Sequence, residues 1–123
     1  MTTDSLQRGE VWLANLNPTQ GSEQAGTRPA IIFQNNIGSQ FSTTTIAIPL
    51  TTNQRRASLP ICLLLQQGDA GLTADSVALC FQLRVLDKAR LIRKLGNLKL
   101  QTIAELEKVV LLTLGYEWSI DIT

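Results

Sequence analysis

Over the first two thirds of the chain, apolar positions come in short, closely spaced runs, and only near its end do they recur at helical spacing. Residues 8–14, Arg-Gly-Glu-Val-Trp-Leu-Ala, put Val11 and Leu13 on one face of a strand and Trp12 and Ala14 on the other. Residues 15–27 show no apolar period and are rich in Asn, Gly, Pro and Ser, which predicts a long loop. Loops of that length in small domains are usually functional or disordered. A second strand over residues 28–34 opens with Arg28-Pro29; proline is tolerated at a strand start or edge, and it pushes Arg28 toward extended backbone. After Asn35-Asn36-Ile37-Gly38, a third strand is expected from about Thr43 to Thr52, with Pro49 demanding an edge or a bulge. Leu59 to Leu65 reads as a fourth strand and Asp75 to Leu86 as a fifth. Short, closely spaced strands with no core-sized helix between them predict an antiparallel sheet curled into a small barrel.

The period then changes. Lys88 to Leu95 alternates charged and apolar residues in a way that suits a short surface helix. A longer helix is expected over Leu100 to Leu114, with Ile103, Leu106, Val110 and Leu114 as its apolar stripe. Val109 and Leu112 lie off that stripe and point to a second covered face. Thr102 and Glu105 have the spacing of a capping box, and Gly115 offers a left-handed stop. The expected fold is mainly β with C-terminal helices: one domain over 1–123, with a barrel over about residues 8–86 and a helical part over about 87–115.

Composition narrows the chemistry. A chain of 123 residues, 44% hydrophobic and 17% charged, suits a single globular domain. The stretch from Met1 to Arg8 lacks the apolar run of a leader, and the longest apolar run, Val109 to Leu112, is far too short to cross a membrane. A cytoplasmic protein without a membrane partner is expected. Cys62 and Cys80 each sit in an apolar segment, where a thiol behaves as a small hydrophobe. With no histidine and no Cys-x-x-Cys spacing, the usual nitrogen and sulfur ligands of zinc are missing, so neither metal nor cofactor is expected. A net charge of +1 excludes a strongly basic coat protein, and any nucleic-acid binding must come from locally placed cations. Arg28, Arg55, Arg56 and Arg84 precede an acidic end containing Glu105, Glu107, Glu117 and Asp121.

The segment Gly21-Ser22-Glu23-Gln24-Ala25-Gly26-Thr27-Arg28-Pro29-Ala30-Ile31-Ile32, followed by Gln34-Asn35-Asn36, resembles the MazF/PemK family closely. Arg8-Gly9-Glu10-Val11-Trp12, Leu50-Thr51-Thr52, Leu59-Pro60, Asp75-Ser76-Val77, Gln82-Leu83-Arg84 and Leu86-Asp87 extend the resemblance, in order, over residues 8 to about 115. It implies an SH3-like barrel of the plasmid-maintenance-toxin type. It further implies a homodimeric toxin that cleaves single-stranded RNA without a metal and is held in check by a cognate antitoxin protein.

Cutting RNA through its own 2′-hydroxyl needs a proton acceptor, a cation or donors for the charge on pentavalent phosphorus, and a proton for the leaving 5′-oxygen. Without histidine, the tools left are carboxylate, arginine and hydroxyl. Arg28 is the best electrostatic candidate, since its planar fork suits a phosphate and keeps its charge. Thr51 matches the family's catalytic threonine; its hydroxyl either serves the phosphate or ribose or simply fills a strand. Glu23 is either a general base or an anchor of the substrate loop. Gln24, Asn36, Thr52, Arg55, Arg56, Gln82 and Arg84 are candidate RNA contacts, each weighed against a plain hydrogen bond within the fold. Some relatives carry an arginine and an acidic residue where this chain has Leu79 and Phe81. Phe81 either stacks a base or packs in the core. Two alternatives share the barrel: a CcdB-type toxin that binds a topoisomerase, and a degenerate member that binds antitoxin only. The constellation of Glu23, Arg28 and Thr51 favours cleavage.

Overall fold

The computed structural model describes residues 5–116; Met1 to Asp4, and the Glu117 and Asp121 of the acidic end, lie outside the described residues. Its strands are β1 (Glu10–Asn15), β2 (Thr27–Ile32), β3 (Thr44–Thr51), β4 (Cys62–Leu65), β5 (Ser76–Leu79), β6 (Arg84–Asp87) and β7 (Leu91–Asn97). They pair antiparallel in the order β4-β5-β3-β2-β1-β7, with β6 beside β3 as well. Helix α1 (Asn36–Phe41) follows β2, and α2 (Leu100–Thr113) follows β7.

Alternation in β1 sorts side chains between two cores, as expected. Val11 joins Ile31, Ile48, Leu50 and Leu106 of α2, whereas Trp12 and Ala14 join Ala30, Ile32, Leu86 and the loop residue Leu16. Burial on both faces explains why the central strands read as nearly continuous apolar runs. The sheet closes through a turn rather than a strand pair. Residues Asp69–Gly71, after β4, press backbone to backbone on β7: a Cβ on Gly71 would stand 2.3 Å from the Leu95 carbonyl oxygen, and one on Gly96 would stand 2.6 Å from Ala70. Only glycine permits that approach at both positions.

Several expectations are corrected. Lys88 to Leu95 is not a helix: a short 3₁₀ turn over Lys88–Arg90 leads into β7, which pairs with β1 through two irregularities in register. The sheet therefore runs on to Asn97, and the helical part is α2 alone. The expected fifth strand breaks at a 3₁₀ turn over Cys80–Gln82. This break lets β5 pair the end of β3 at Leu50 and Thr51 and β6 pair its beginning at Thr44 to Ala47. Pro49 falls where β3 changes partner, between Ala47, opposite Arg84, and Leu50, opposite Ala78. Its missing N–H is thus accommodated inside the sheet without an edge. Strand β4 starts only at Cys62, because Leu59 and Cys62 are held in successive turns by Arg56 and Leu59 carbonyls. Helix α1 was not expected; Asn35 caps it by accepting from the Gly38 N–H at 2.7 Å.

The capping box is also absent. Helix α2 begins at Leu100 with Lys99 as an N-cap that makes no side-chain bond, and the Thr102 hydroxyl donates to Asp69 Oδ2 at 3.1 Å. Leu106 and Val110 are buried and Ile103 packs against them, but Leu114 and Leu112 are exposed while Val109 touches the core. At the helix end Gly115 (φ 91°) donates to Leu112 and Tyr116 to Leu111, a left-handed stop of the Schellman type. Cys62 and Cys80 are buried free thiols. Burial pushes Cys80 up to about 12, with Cys62 adding to the rise and a backbone hydrogen bond opposing it. Burial also raises Cys62, against a lowering by Arg56.

Candidate active site

The loop between β1 and β2 is tied at its neck, where the Leu16 N–H donates to Gly26 O at 2.9 Å and the Gly26 N–H to Asn17 Oδ1 at 3.1 Å. Two arginines brace it from below. Arg84 Nη1 donates to Leu16 O at 3.2 Å, and Arg90 Nη1 donates to the carbonyls of Asn15 and Asn17. Higher up, Gln82 holds the loop with both ends of its amide: Oε1 accepts from the Gln24 N–H at 2.6 Å and Nε2 donates to Ser22 O at 3.2 Å.

Below that loop, β2 and β3 bring together residues distant in sequence. Ala30 pairs with Pro49, and the same register continued outward sets Arg28 opposite Thr51. Both line a small recess of about 40 Å³ with Pro29, Leu50, Thr52 and Ser76. Arg28 is exposed, and its Nε donates to Ala25 O at 3.2 Å. Thr51 Oγ1 accepts from the Asn53 N–H at 3.2 Å, which leaves its hydroxyl proton free to donate outward. Thr51 also borders a larger recess of about 180 Å³, whose walls include Ser22, Gln24, Arg55, Arg56 and Gln82 and whose floor is Leu79. Asn53 caps the turn carrying both arginines by accepting from the Arg55 N–H at 3.0 Å. The Arg56 guanidinium lies 5.5 Å from the centroid of Phe81, which packs in a small cluster with Cys62, Val77 and Leu79.

The expected site residues therefore separate into groups. Arg28, Thr51, Thr52, Gln24, Arg55, Arg56 and Gln82 converge on two adjoining recesses. Glu23 is exposed beside them, but its carboxylate accepts from the Gln20 N–H at 2.6 Å within its own loop. Arg84 is turned to the neck of the loop. Asn36 lies beyond the opposite end of β2, where its Oδ1 accepts from the Arg8 N–H at 2.8 Å, so it is not brought to the recesses. Ser22, Asn53 and Ser76 are not among the expected site residues: Ser22 and Ser76 lie in segments that carry the family resemblance, Asn53 in the turn after β3, and all three enter through backbone geometry. Among the described residues no three His, Cys, Asp or Glu side chains gather into a metal-binding group. No helix among them is long and apolar enough to cross a membrane.

Fold and recesses together define a small curled antiparallel sheet with a C-terminal helix and an arginine-rimmed trough at one end of its strands. Residues 7–114 match the family model described as PemK-like, MazF-like toxin of type II toxin-antitoxin system, and the chain belongs to that family. It is 39% identical over 110 residues to Endoribonuclease MazF of Staphylococcus saprophyticus subsp. saprophyticus, spanning 89% of this chain and 92% of the relative. Its fold is similar to that of MazF from Deinococcus radiodurans, with a TM-score of 0.78 and 24% identity over 90% of this chain and 97% of that one. An endoribonuclease from mycobacterial species, solved in complex with its cognate antitoxin, gives a TM-score of 0.77 and 22% identity over 92% and 98% of the two chains.

Proposed function

We propose that this protein is a toxin endoribonuclease that cuts single-stranded RNA by attack of a ribose 2′-hydroxyl on the adjacent phosphate, without a metal ion. The observation that carries this proposal is the meeting of Arg28 and Thr51 across β2 and β3 in one solvent-open recess. In the reaction the 2′-oxygen bonds to phosphorus as the bond from phosphorus to the 5′-oxygen breaks. The 2′-proton passes to a base, and the leaving 5′-oxygen gains a proton. The products are a 2′,3′-cyclic phosphate and a 5′-hydroxyl.

Arg28 stabilises the charge that builds on the non-bridging oxygens, where a rigid fork of donors acts without reorganising. Thr51, fixed as an acceptor by Asn53, donates its proton to the same phosphate. Arg55, Arg56, Gln24 and Thr52 contact the flanking nucleotides. Glu23 and Gln82 act through the loop they hold, which favours the anchor role for Glu23. Such a route suits a chain with no histidine.

Family membership and the name of the staphylococcal relative support the activity. The mycobacterial complex supports a cognate antitoxin for this chain too. The arginines around the trough suit an acidic or amphipathic segment of such a partner. A homodimer is supported by β6, which pairs with β3 on one side and exposes Val85. A cytoplasmic site of action follows from the substrate.

The test is incubation of the purified protein with a long RNA in EDTA, followed by mapping of the ends. Discrete cuts bearing cyclic phosphate and 5′-hydroxyl ends are expected, and a 2′-deoxy substitution at the cut should abolish them. A requirement for added divalent cation, or cleavage of all-DNA strands at a comparable rate, would overturn the mechanism.

A further inference from the structure

We propose that the trough continues across β1 to a further phosphate subsite on β7, where Arg93 holds the backbone of the RNA flanking the cut; this rests on the endoribonuclease function proposed above. A third recess, of about 260 Å³, is lined by Leu13, Pro29, Thr52, Ser76, Arg93 and Leu95 among others. It shares Pro29, Thr52 and Ser76 with the Arg28 recess, which in turn shares Thr51 with the recess rimmed by Arg55 and Arg56. The three recesses thus form one continuous path with Arg28 and Thr51 near its middle.

Register explains why Arg93 faces this path. Leu13 of β1 pairs with Pro29 on one side and with Arg93 on the other, so the three side chains stand in a row on one face of the sheet. Two strand spacings put the Arg93 backbone roughly 10 Å from that of Pro29. Its neighbours in charge are engaged elsewhere: Lys94 pairs with Glu10 at 3.6 Å, Arg90 braces the loop, and Arg8 pairs with Glu107. Arg93 is exposed, and among the described residues no carboxylate or carbonyl engages its guanidinium. A cation left open at the end of a groove, with Leu13 and Leu95 as an apolar floor for a base, has the composition of a single-strand binding track. Because the whole chain carries a net charge of +1, each unengaged guanidinium on that track is a large share of its attraction for RNA.

The experiment measures binding of a long RNA made uncleavable by a 2′-deoxy substitution at the cut site, as a function of salt. The wild type is compared with Arg93→Ala, Arg93→Lys and a control, Lys99→Ala, at the exposed start of α2. Arg93→Ala should weaken binding about 3- to 10-fold and reduce the log–log salt slope by about 0.7, the single-strand value for one phosphate contact. Arg93→Lys should restore the slope, since the slope counts charge, and Lys99→Ala should leave both quantities unchanged. If Arg93→Ala melts early, Arg93→Gln, which keeps the stem and loses the charge, is measured in its place. Wild-type affinity and slope in the charge-removing variant, in a protein that still cuts RNA, would overturn the subsite and leave the cleavage function standing. A wild-type protein that neither binds nor cuts RNA would overturn both. Weakened binding of an acidic peptide with RNA binding intact would also overturn the subsite, and would assign Arg93 to a protein partner.

Discussion

Strand β2 has an arginine beside each end, and the two are used in opposite ways. Near its end, Arg8 lies 4.3 Å over the ring of Phe33 and pairs with Glu107 of α2 at 2.9 Å, while its backbone N–H is taken by Asn36. At its start, Arg28 makes one bond through Nε to Ala25 O and faces a recess in company with Thr51. The residue type is the same. What differs is whether the fold answers the charge: an answered guanidinium fastens a helix to a sheet, and an unanswered one is available to a phosphate. Sequence position alone does not reveal this, because Glu107 lies 99 residues from Arg8.

Substitutions at three positions test the contrast. Arg28→Ala should lower turnover by about two or more orders of magnitude, the scale of removing a transition-state charge partner, with little change in melting temperature. Arg28→Lys should recover little, because an ammonium lacks the fork. Near-normal cleavage by the alanine variant would show that the open guanidinium has no chemical role. Arg8→Ala should do the reverse: a loss of about 1 kcal/mol of stability, from a partly exposed ion pair and a cation–π contact, with cleavage retained. Chemical denaturation beside an activity assay measures both, and a large loss of cleavage at unchanged stability would erase the distinction between the two ends. The smallest effect is expected for Glu23→Gln. An amide oxygen can still accept from Gln20, so cleavage should stay within about threefold. A drop of a hundredfold, with loss of the acid limb of the pH–rate profile, would make Glu23 the general base.

The central strands were legible because β1, β2 and β3 bury side chains on both faces and leave an apolar signal. Helix α2 was legible through Leu106 and Val110, and its end through Gly115. Strand β7 was misread because it carries the irregularities in its register with β1: Leu91 is buried but Ile92 and Arg93 are both exposed, so a clean two-residue period never develops. Thr102 mimicked a cap because its hydroxyl has a partner, Asp69, that only the folded chain brings near. At the site, Arg28 and Thr51 could be named from the family's pattern. The diversion of Arg84 to the loop neck and of Asn36 to Arg8 could not, since each depends on a long-range carbonyl or amide with no mark in the local sequence.

Thr51 is the last residue of β3, and the residue before it, Leu50, is 1% exposed. On the facing strand, Arg28 is separated by a single proline from the fully buried Ala30. The two candidate side chains therefore hang directly from strands with buried neighbours, whose amides should exchange slowly with solvent. Opening β2 or β3 is thus a costly way to disturb this pair, whereas the loop and turn residues that rim the larger recess, Ser22, Gln24, Arg55 and Arg56, lie outside those strands. A regulator that lay in the trough would silence the proposed chemistry without opening the fold, and would restore it on leaving.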